Sequence, residues 1–300
     1  NRTKDGFTLL QHSVTNGNKY IISMVKIWYQ AAGLLETEEF KKTILLNRTK
    51  DGFTLLQSAV KNGKENIISN VMRLYQAAGL LETEEFKKTI LLNRTKDGFT
   101  LLQQAVTNGN ENIISMVKSW YQDAGLLETE EFKKTILLDR TKDGFTLLED
   151  TVKNGKENII LMVMSLYQAA DLLESNDFKK TILLNRTKDG FTLLQSAVKN
   201  GKENIISNVM RLYQAAGLLE TEEFTKTILL NRTEQKFNLL HHIGLSGLPI
   251  DTVKNIIQKI SDKDLSVLLN EKTQHNDLPG LSKNKEIYNL FKSERKRLND

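Results

Sequence analysis

The chain has 300 residues, 39% of them hydrophobic and 26% charged, with a formal net charge of +5 and no cysteine. That composition excludes an intrinsically disordered chain, a disulfide scaffold and any cysteine-ligated metal site. No apolar run approaches the roughly 18 residues of a membrane span, and the basic excess is weaker and less clustered than in a dedicated nucleic-acid binder.

A unit of 46 residues starts at Asn1, Asn47, Asn93, Asp139 and Asn185 and tiles residues 1–230 without a gap. The copies at 47–92 and 185–230 differ at one position, Lys87 in the first and Thr225 in the second. Near-identical units in tandem predict a solenoid in which each unit packs on its neighbours and function resides on an extended surface. The chain opens on the first residue of a repeat, with neither Met nor a leader. The expectation is therefore a piece of a longer protein.

Within the copy at 47–92, Asn47-Arg48-Thr49-Lys50-Asp51-Gly52 is a turn. Thr54 suits a helix N-cap, and Leu55, Leu56, Ala59 and Val60 give the following helix an apolar stripe. That helix stops at Asn62-Gly63. A second helix is predicted over 66–78, with Ile67, Ile68, Val71, Leu74, Tyr75 and Ala78 on its buried face. Gly79 ends it in the left-handed region, and the fourth copy has Asp171 there. A short third helix fits 83–90. Thr83 caps it, Glu84 and Glu85 oppose its N-terminal dipole, Lys87 and Lys88 suit its C-terminal end, and Phe86 and Ile90 face the stack. The fourth copy keeps this chemistry with Ser175 and Asp177.

The stretch Gly52-Phe53-Thr54-Leu55-Leu56-Gln57-Ser58-Ala59-Val60-Lys61-Asn62-Gly63 resembles the ankyrin signature Gly-x-Thr-Pro-Leu-His-x-Ala-x-x-x-Gly. Gly, Thr, Leu, Ala and Gly fall in register, with Leu in the Pro slot and Gln in the His slot, the latter filled by His241 in the sixth copy. The unit is longer than an ordinary ankyrin repeat of about 33 residues. The excess fits one extra turn in the second helix and the added short helix. The resemblance implies an all-α solenoid of ankyrin-like repeats, each with an extra short helix. It divides the chain into five repeats over 1–230, a divergent sixth over 231–269 and a C-terminal capping unit over 270–300. It also implies a protein-binding scaffold with no catalysis and no cofactor. Its partner is another protein, engaged through the turn tips and the exposed side of each first helix.

Positions there that differ between copies are the candidate partner-binding residues: His12, Ser58, Gln104, Asp150 and Ser196, then Thr15, Lys61, Thr107, Lys153 and Lys199. The Lys, Asn and Ile bias and the fresh duplications are similar to ankyrin-type effectors of host-associated bacteria. The corresponding expectation is a soluble protein that meets a host protein after secretion into the host cytoplasm. Two alternatives are a targeting module for an enzyme domain outside this segment, and a nucleic-acid or anionic-lipid binder.

The last alternative would use a basic ladder in the turns, Arg2 and Lys4, Arg48 and Lys50, Arg94 and Lys96, Arg140 and Lys142, Arg186 and Lys188. An Asp in every turn and the lack of interleaved aromatics favour solvated or locally paired bases instead. Asn-Arg-Thr, recurring at Asn1, Asn47, Asn93, Asn185 and Asn231, matches a glycosylation acceptor, but duplication accounts for its recurrence. His241 and His242 point about 100° apart on a helix, and His12 and His275 are remote, which argues against a metal site. The Glu pairs at 38–39, 84–85 and 130–131 read as helix starts. Trp28 and Trp120 take the slot of Leu74, Leu166 and Leu212 and read as packing variants.

Overall fold

The computed structural model describes residues 3–280 and 284–299. Asn1 and Arg2 of the turn ladder lie outside them. The chain forms two compact units, residues 1–142 and 143–300. Among the described residues the structure is helical, and the β pairing is confined to one bridge between Arg186 and Thr192.

The first unit holds three helical triplets. They are α1 (Leu9–Thr15), α2 (Lys19–Ala31) and α3 (Glu38–Phe40); α4 (Leu55–Asn62), α5 (Glu65–Ala77) and α6 (Glu84–Phe86); and α7 (Leu101–Asn108), α8 (Glu111–Asp123) and α9 (Glu130–Phe132). Each short third helix runs straight into a wider turn, Lys41–Leu45, Lys87–Leu91 and Lys133–Leu137. There the amide of Leu92 donates to the carbonyl of Lys87, five residues back, at 2.9 Å. First helices pack on first helices (α1 on α4, α4 on α7) and second on second (α2 on α5).

A glutamine of the first helix, Gln57 in the second copy, links local and inter-repeat structure. Thr54 caps α4 by accepting from the Gln57 amide at 3.1 Å, and Gln57 Oε1 accepts from the Thr54 amide at 3.1 Å. This reciprocal cap satisfies two donors that a helix start leaves open. The remaining amide hydrogens of Gln57 reach the next repeat, donating to the carbonyls of Asn93 (3.3 Å) and Phe99 (3.2 Å). Asn93 Nδ2 returns bonds to Gln57 Oε1 (2.7 Å) and Gly52 O (3.0 Å). The recurring Asn is thus a buried inter-repeat clamp, and a glycan on its nitrogen would break it.

The turns also join one to the next, Lys50 N to Asp5 O at 2.9 Å, and Lys96 N to Asp51 O and Lys142 N to Asp97 O at 2.8 Å. Gly52 sits at φ 82°, where a Cβ would lie 3.0 Å from Lys96 N. Glycine takes this left-handed conformation without strain and leaves room for the next turn.

The second helices bury the expected face. Val71, Leu74 and Tyr75 are fully buried, and each such aliphatic side chain contributes about 1.5–3 kcal/mol. The Tyr75 ring meets Phe86 edge-on at 5.0 Å, and its hydroxyl donates to the Leu45 carbonyl of the preceding repeat at 3.1 Å. Trp120, in the place of Leu74, is half-buried beside Met72, Leu81 and Phe86 of the preceding repeat, and Trp28, in the first triplet, is 56% exposed.

The second unit repeats the triplet twice, as α10 (Leu147–Asn154), α11 (Glu157–Ala169) and α12 (Asn176–Phe178), then α13 (Leu193–Asn200), α14 (Glu203–Ala215) and α15 (Glu222–Phe224). It then changes to α16 (Leu239–Leu245), α17 (Ile250–Ile257), α18 (Asp262–Asn270) and α19 (Lys285–Asn299). Asp171 adopts φ 53° in place of glycine, as expected, and Lys236 adopts φ 61°. Helix α19 packs on α17 and α18 and buries Ile287 and Phe291. Its Arg295 Nε donates to Leu269 O at 2.9 Å. His241 takes the Gln place, its Nε2 lying 3.0 Å from the Asp277 carbonyl.

Candidate functional site

In the second unit the turn tips and first helices enclose a groove. Its phenylalanines follow the turn glycines, Phe145 after Gly144 and Phe191 after Gly190, and lie half-buried. Two turns of helix later come the lysines, so Lys153 Nζ stands 4.8 Å from the Phe145 ring centre and Lys199 Nζ 4.7 Å from that of Phe191. The resulting cavity of about 350 Å³ is also lined by Thr187, Asp189, Ser196 and Asn200. An adjoining cavity of about 360 Å³ shares Phe191 and Lys199 and adds Thr233, Gln235, Phe237, His242 and Leu245. His242 lies 5.0 Å from Phe191 and stacks on Phe237 at 5.5 Å. Burial, with Lys199 and His241 adding repulsion, pushes its imidazole down to about 4. At neutral pH it is an uncharged aromatic wall, and the groove's charge comes from Lys153, Lys199 and Asp189. Leu245, 68% exposed, closes the row with an apolar side chain at the lysine position.

The same lysine–phenylalanine pair occurs in the first unit, with Lys61 Nζ 4.8 Å from the Phe53 ring centre. Such a stack holds an ammonium over a ring face while leaving N–H groups free to donate. The combination sets a hydrogen-bonding cation beside apolar ring surface.

The sequence-derived candidates divide by depth. Thr15, Lys61, Thr107, Lys153 and Lys199 are exposed, as is His12. Ser196 is half-buried and lines the first cavity. Ser58, Gln104 and Asp150 are buried, Ser58 Oγ donating to Thr54 O at 3.0 Å. Arg48 and Arg186 are exposed, and Arg186 donates to Thr227 O at 3.3 Å. Arg94 pairs with Asp139 and donates to Arg140 O at 2.5 Å. Lysines of the turns stand near the preceding turn's aspartate, Lys142 at 3.8 Å from Asp97 and Lys188 at 3.9 Å from Asp143.

Sequence reasoning missed the phenylalanines, His242 and Asp189 as groove residues. The signal was the Phe recurring after each turn glycine, which was absorbed into the repeat signature. It also missed Glu149, which occupies the place of Gln57 and Gln195 and is fully buried, with the Ser196 hydroxyl as the nearest donor but neither oxygen in a well-formed hydrogen bond. Burial pushes its carboxyl up to about 8, with the Ser196 hydroxyl offsetting and Asp150 adding to the rise. Among the described residues no three of His, Cys, Asp and Glu gather where they could hold a metal ion. Nor is any helix there long and apolar enough to cross a membrane.

Among solved structures the chain is similar to the ankyrin repeat domain of Bcl-3, a member of the IkappaB protein family. The TM-score is 0.49 with 16% identity, covering 96% of this chain and 100% of that chain. No family model and no curated protein sequence matches the chain.

Proposed function

We propose that the chain is a protein-interaction scaffold and that its groove over residues 143–246 docks a segment of another protein carrying carboxylates beside apolar side chains. The observation that carries this reading is the pair of adjoining cavities walled by Phe145, Phe191, Phe237 and His242 and topped by Lys153 and Lys199. Its polar groups can recognise a ligand, and His242 faces phenyl rings instead of a nucleophile, so the role is binding and not catalysis. In the second unit buried Asp150 shapes the wall, while Lys153, Ser196 and Lys199 meet the partner; His12, Thr15, Ser58, Lys61, Gln104 and Thr107 hold the matching places in the first unit. Arg48, Arg94 and Arg186 belong to the rim.

In the same reading, residues 231–269 form a divergent sixth repeat and residues 270–300 close the array, supported by the way α19 covers Leu265, Leu268 and Leu269. The finer reading, a bacterial effector that engages a host protein, draws its support from the Lys, Asn and Ile bias and the recent duplications. Host-cell lysate is therefore the source of candidate partners. The test compares capture by the unaltered chain, by Lys153→Glu/Lys199→Glu, and by Lys134→Glu/Lys180→Glu, which alters exposed lysines of the wider turns that follow α9 and α12. A partner lost only with the first pair supports the groove. Equal capture by all three removes it.

A further inference from the structure

A cavity of about 300 Å³ lies in the first unit, between the second and third repeats, and is built from none of the elements that form the groove. Its apolar wall is Met72 of α5, Leu81, Phe86 and Trp120 of α8, and its charged lining is Glu82, Lys87 and Asp123. Phe86 is buried, Met72, Leu81 and Trp120 are half-buried, and Glu82 and Asp123 are exposed, so the lining runs from an apolar depth to an acidic rim. Lys87 is held by Glu84 at 2.9 Å, which leaves the negative charge in excess.

Two of these side chains depart from the repeat together. At the places of Trp120 and Asp123, α5 has Leu74 and Ala77, α11 has Leu166 and Ala169, and α14 has Leu212 and Ala215. Trp28 shares the indole but is followed by Ala31, so the third repeat alone carries both changes, and both line the same cavity. Asp123 is the last residue of α8. An acid there opposes the helix dipole, and it replaces alanine, the strongest helix former. Among the described residues no base pairs with it. A side chain that breaks a local rule without compensation inside the chain points to a use outside it.

We propose that this cavity binds a small organic amine, its apolar body against Met72, Leu81 and Phe86 and its ammonium held at the rim by Glu82, Asp123 and the Trp120 ring. Indole offers a cation the strongest of the aromatic faces, and carboxylates accept the ammonium N–H groups in charge-assisted bonds. The apolar depth excludes a bare inorganic cation, and the acidic rim excludes an anion. The volume sits at the small end of ligand pockets, which run to roughly 300–1,000 Å³, and suits a free molecule better than a docked segment of chain. The site stands apart from the groove of the second unit and does not rest on that reading.

The experiment is calorimetric titration of the whole chain with phenethylammonium, with Trp120 fluorescence followed in a Trp28→Phe background. Saturable binding that changes the Trp120 emission is expected. Two further probes divide the ligand: 2-phenylethanol has the body without the charge, and methylammonium has the charge without the body. Each should bind roughly tenfold more weakly or worse. Trp120→Leu/Asp123→Ala, whose residues already fold at the same places in α5, α11 and α14, should keep the thermal melt and lose affinity by a similar factor. Lys153→Glu/Lys199→Glu should bind the amine unchanged, which separates this site from the groove. The proposal is overturned if phenethylammonium does not bind, or if it binds Trp120→Leu/Asp123→Ala as tightly as the unaltered chain. Tighter binding of an acetylated Gly-Phe-Lys-Gly peptide than of the free amine would also overturn it, by giving the site to a basic segment of a partner protein.

Discussion

Replacing Glu149 by glutamine should stabilise the second unit, and by an amount that depends on pH. In other repeats the residue at this place donates an amide hydrogen to the next turn, as Gln195 does to Asn231 O at 3.0 Å and Gln11 to Asn47 O at 3.2 Å. A carboxylate has no hydrogen to give, and burial pushes the Glu149 carboxyl from 4.5 up to about 8. The groups facing it are Asp150, Ser196 and the Tyr213 phenol, and the Asp and Tyr groups do nothing to stabilise its charge. Because the folded form holds the proton more tightly than the unfolded one, stability is full below pH 4.5 and is lost as pH rises to about 8. The gap corresponds to roughly 5 kcal/mol at full ionisation, as an upper bound. Glu149→Gln should therefore leave stability nearly unchanged at pH 4.5 and raise it by several kcal/mol at pH 8. Repeat arrays open locally, so the assay is amide hydrogen exchange in α10 and α13, with the two proteins compared at each pH. A difference that does not grow with pH, or lower protection of the variant at pH 8, would refute the reasoning.

Val71→Asp places an unpaired charge at a fully buried site and should cost several kcal/mol in a thermal melt; an unchanged melt would remove that face from the core. Asn93→Ala deletes the bonds to Gly52 and Gln57 and should destabilise by about 1–3 kcal/mol, read by urea unfolding. Deleting residues 276–300 uncovers Leu265, Leu268 and Leu269 and should drive association at high concentration in sedimentation. Arg48→Glu/Arg94→Glu/Arg186→Glu should leave DNA, RNA and partner binding little altered. Tight, salt-sensitive nucleic-acid binding by the unaltered chain, lost in this variant, would promote the turn ladder to the binding site.

The repeat, the Thr54 cap, the Gly63 stop and the Val71 face could be read from the sequence because each follows from a local rule of capping or periodicity. The wide turn at Lys87–Leu91 could not, since bonding to the fifth residue back leaves the same residue pattern as an ordinary helix end. The burial of Ser58, Gln104 and Asp150 also escaped, because variation between copies signals tolerance and does not report depth. Asn93 read as a turn residue until its partner 36 residues away was in view. Glu149 was visible all along as the odd member of a column of glutamines, but its meaning depends on the carbonyl that the glutamines reach.

The proposed entry of partners into the groove of the second unit is tested most directly by site-directed photo-crosslinking. A photoreactive residue placed in turn at Lys153, Ser196 and Lys199 should capture the same protein from lysate. The same residue at Gln168 or Gln214, on the exposed side of α11 and α14, should capture none of it. Crosslinks from Gln168 or Gln214 with none from the groove positions would contradict the proposal.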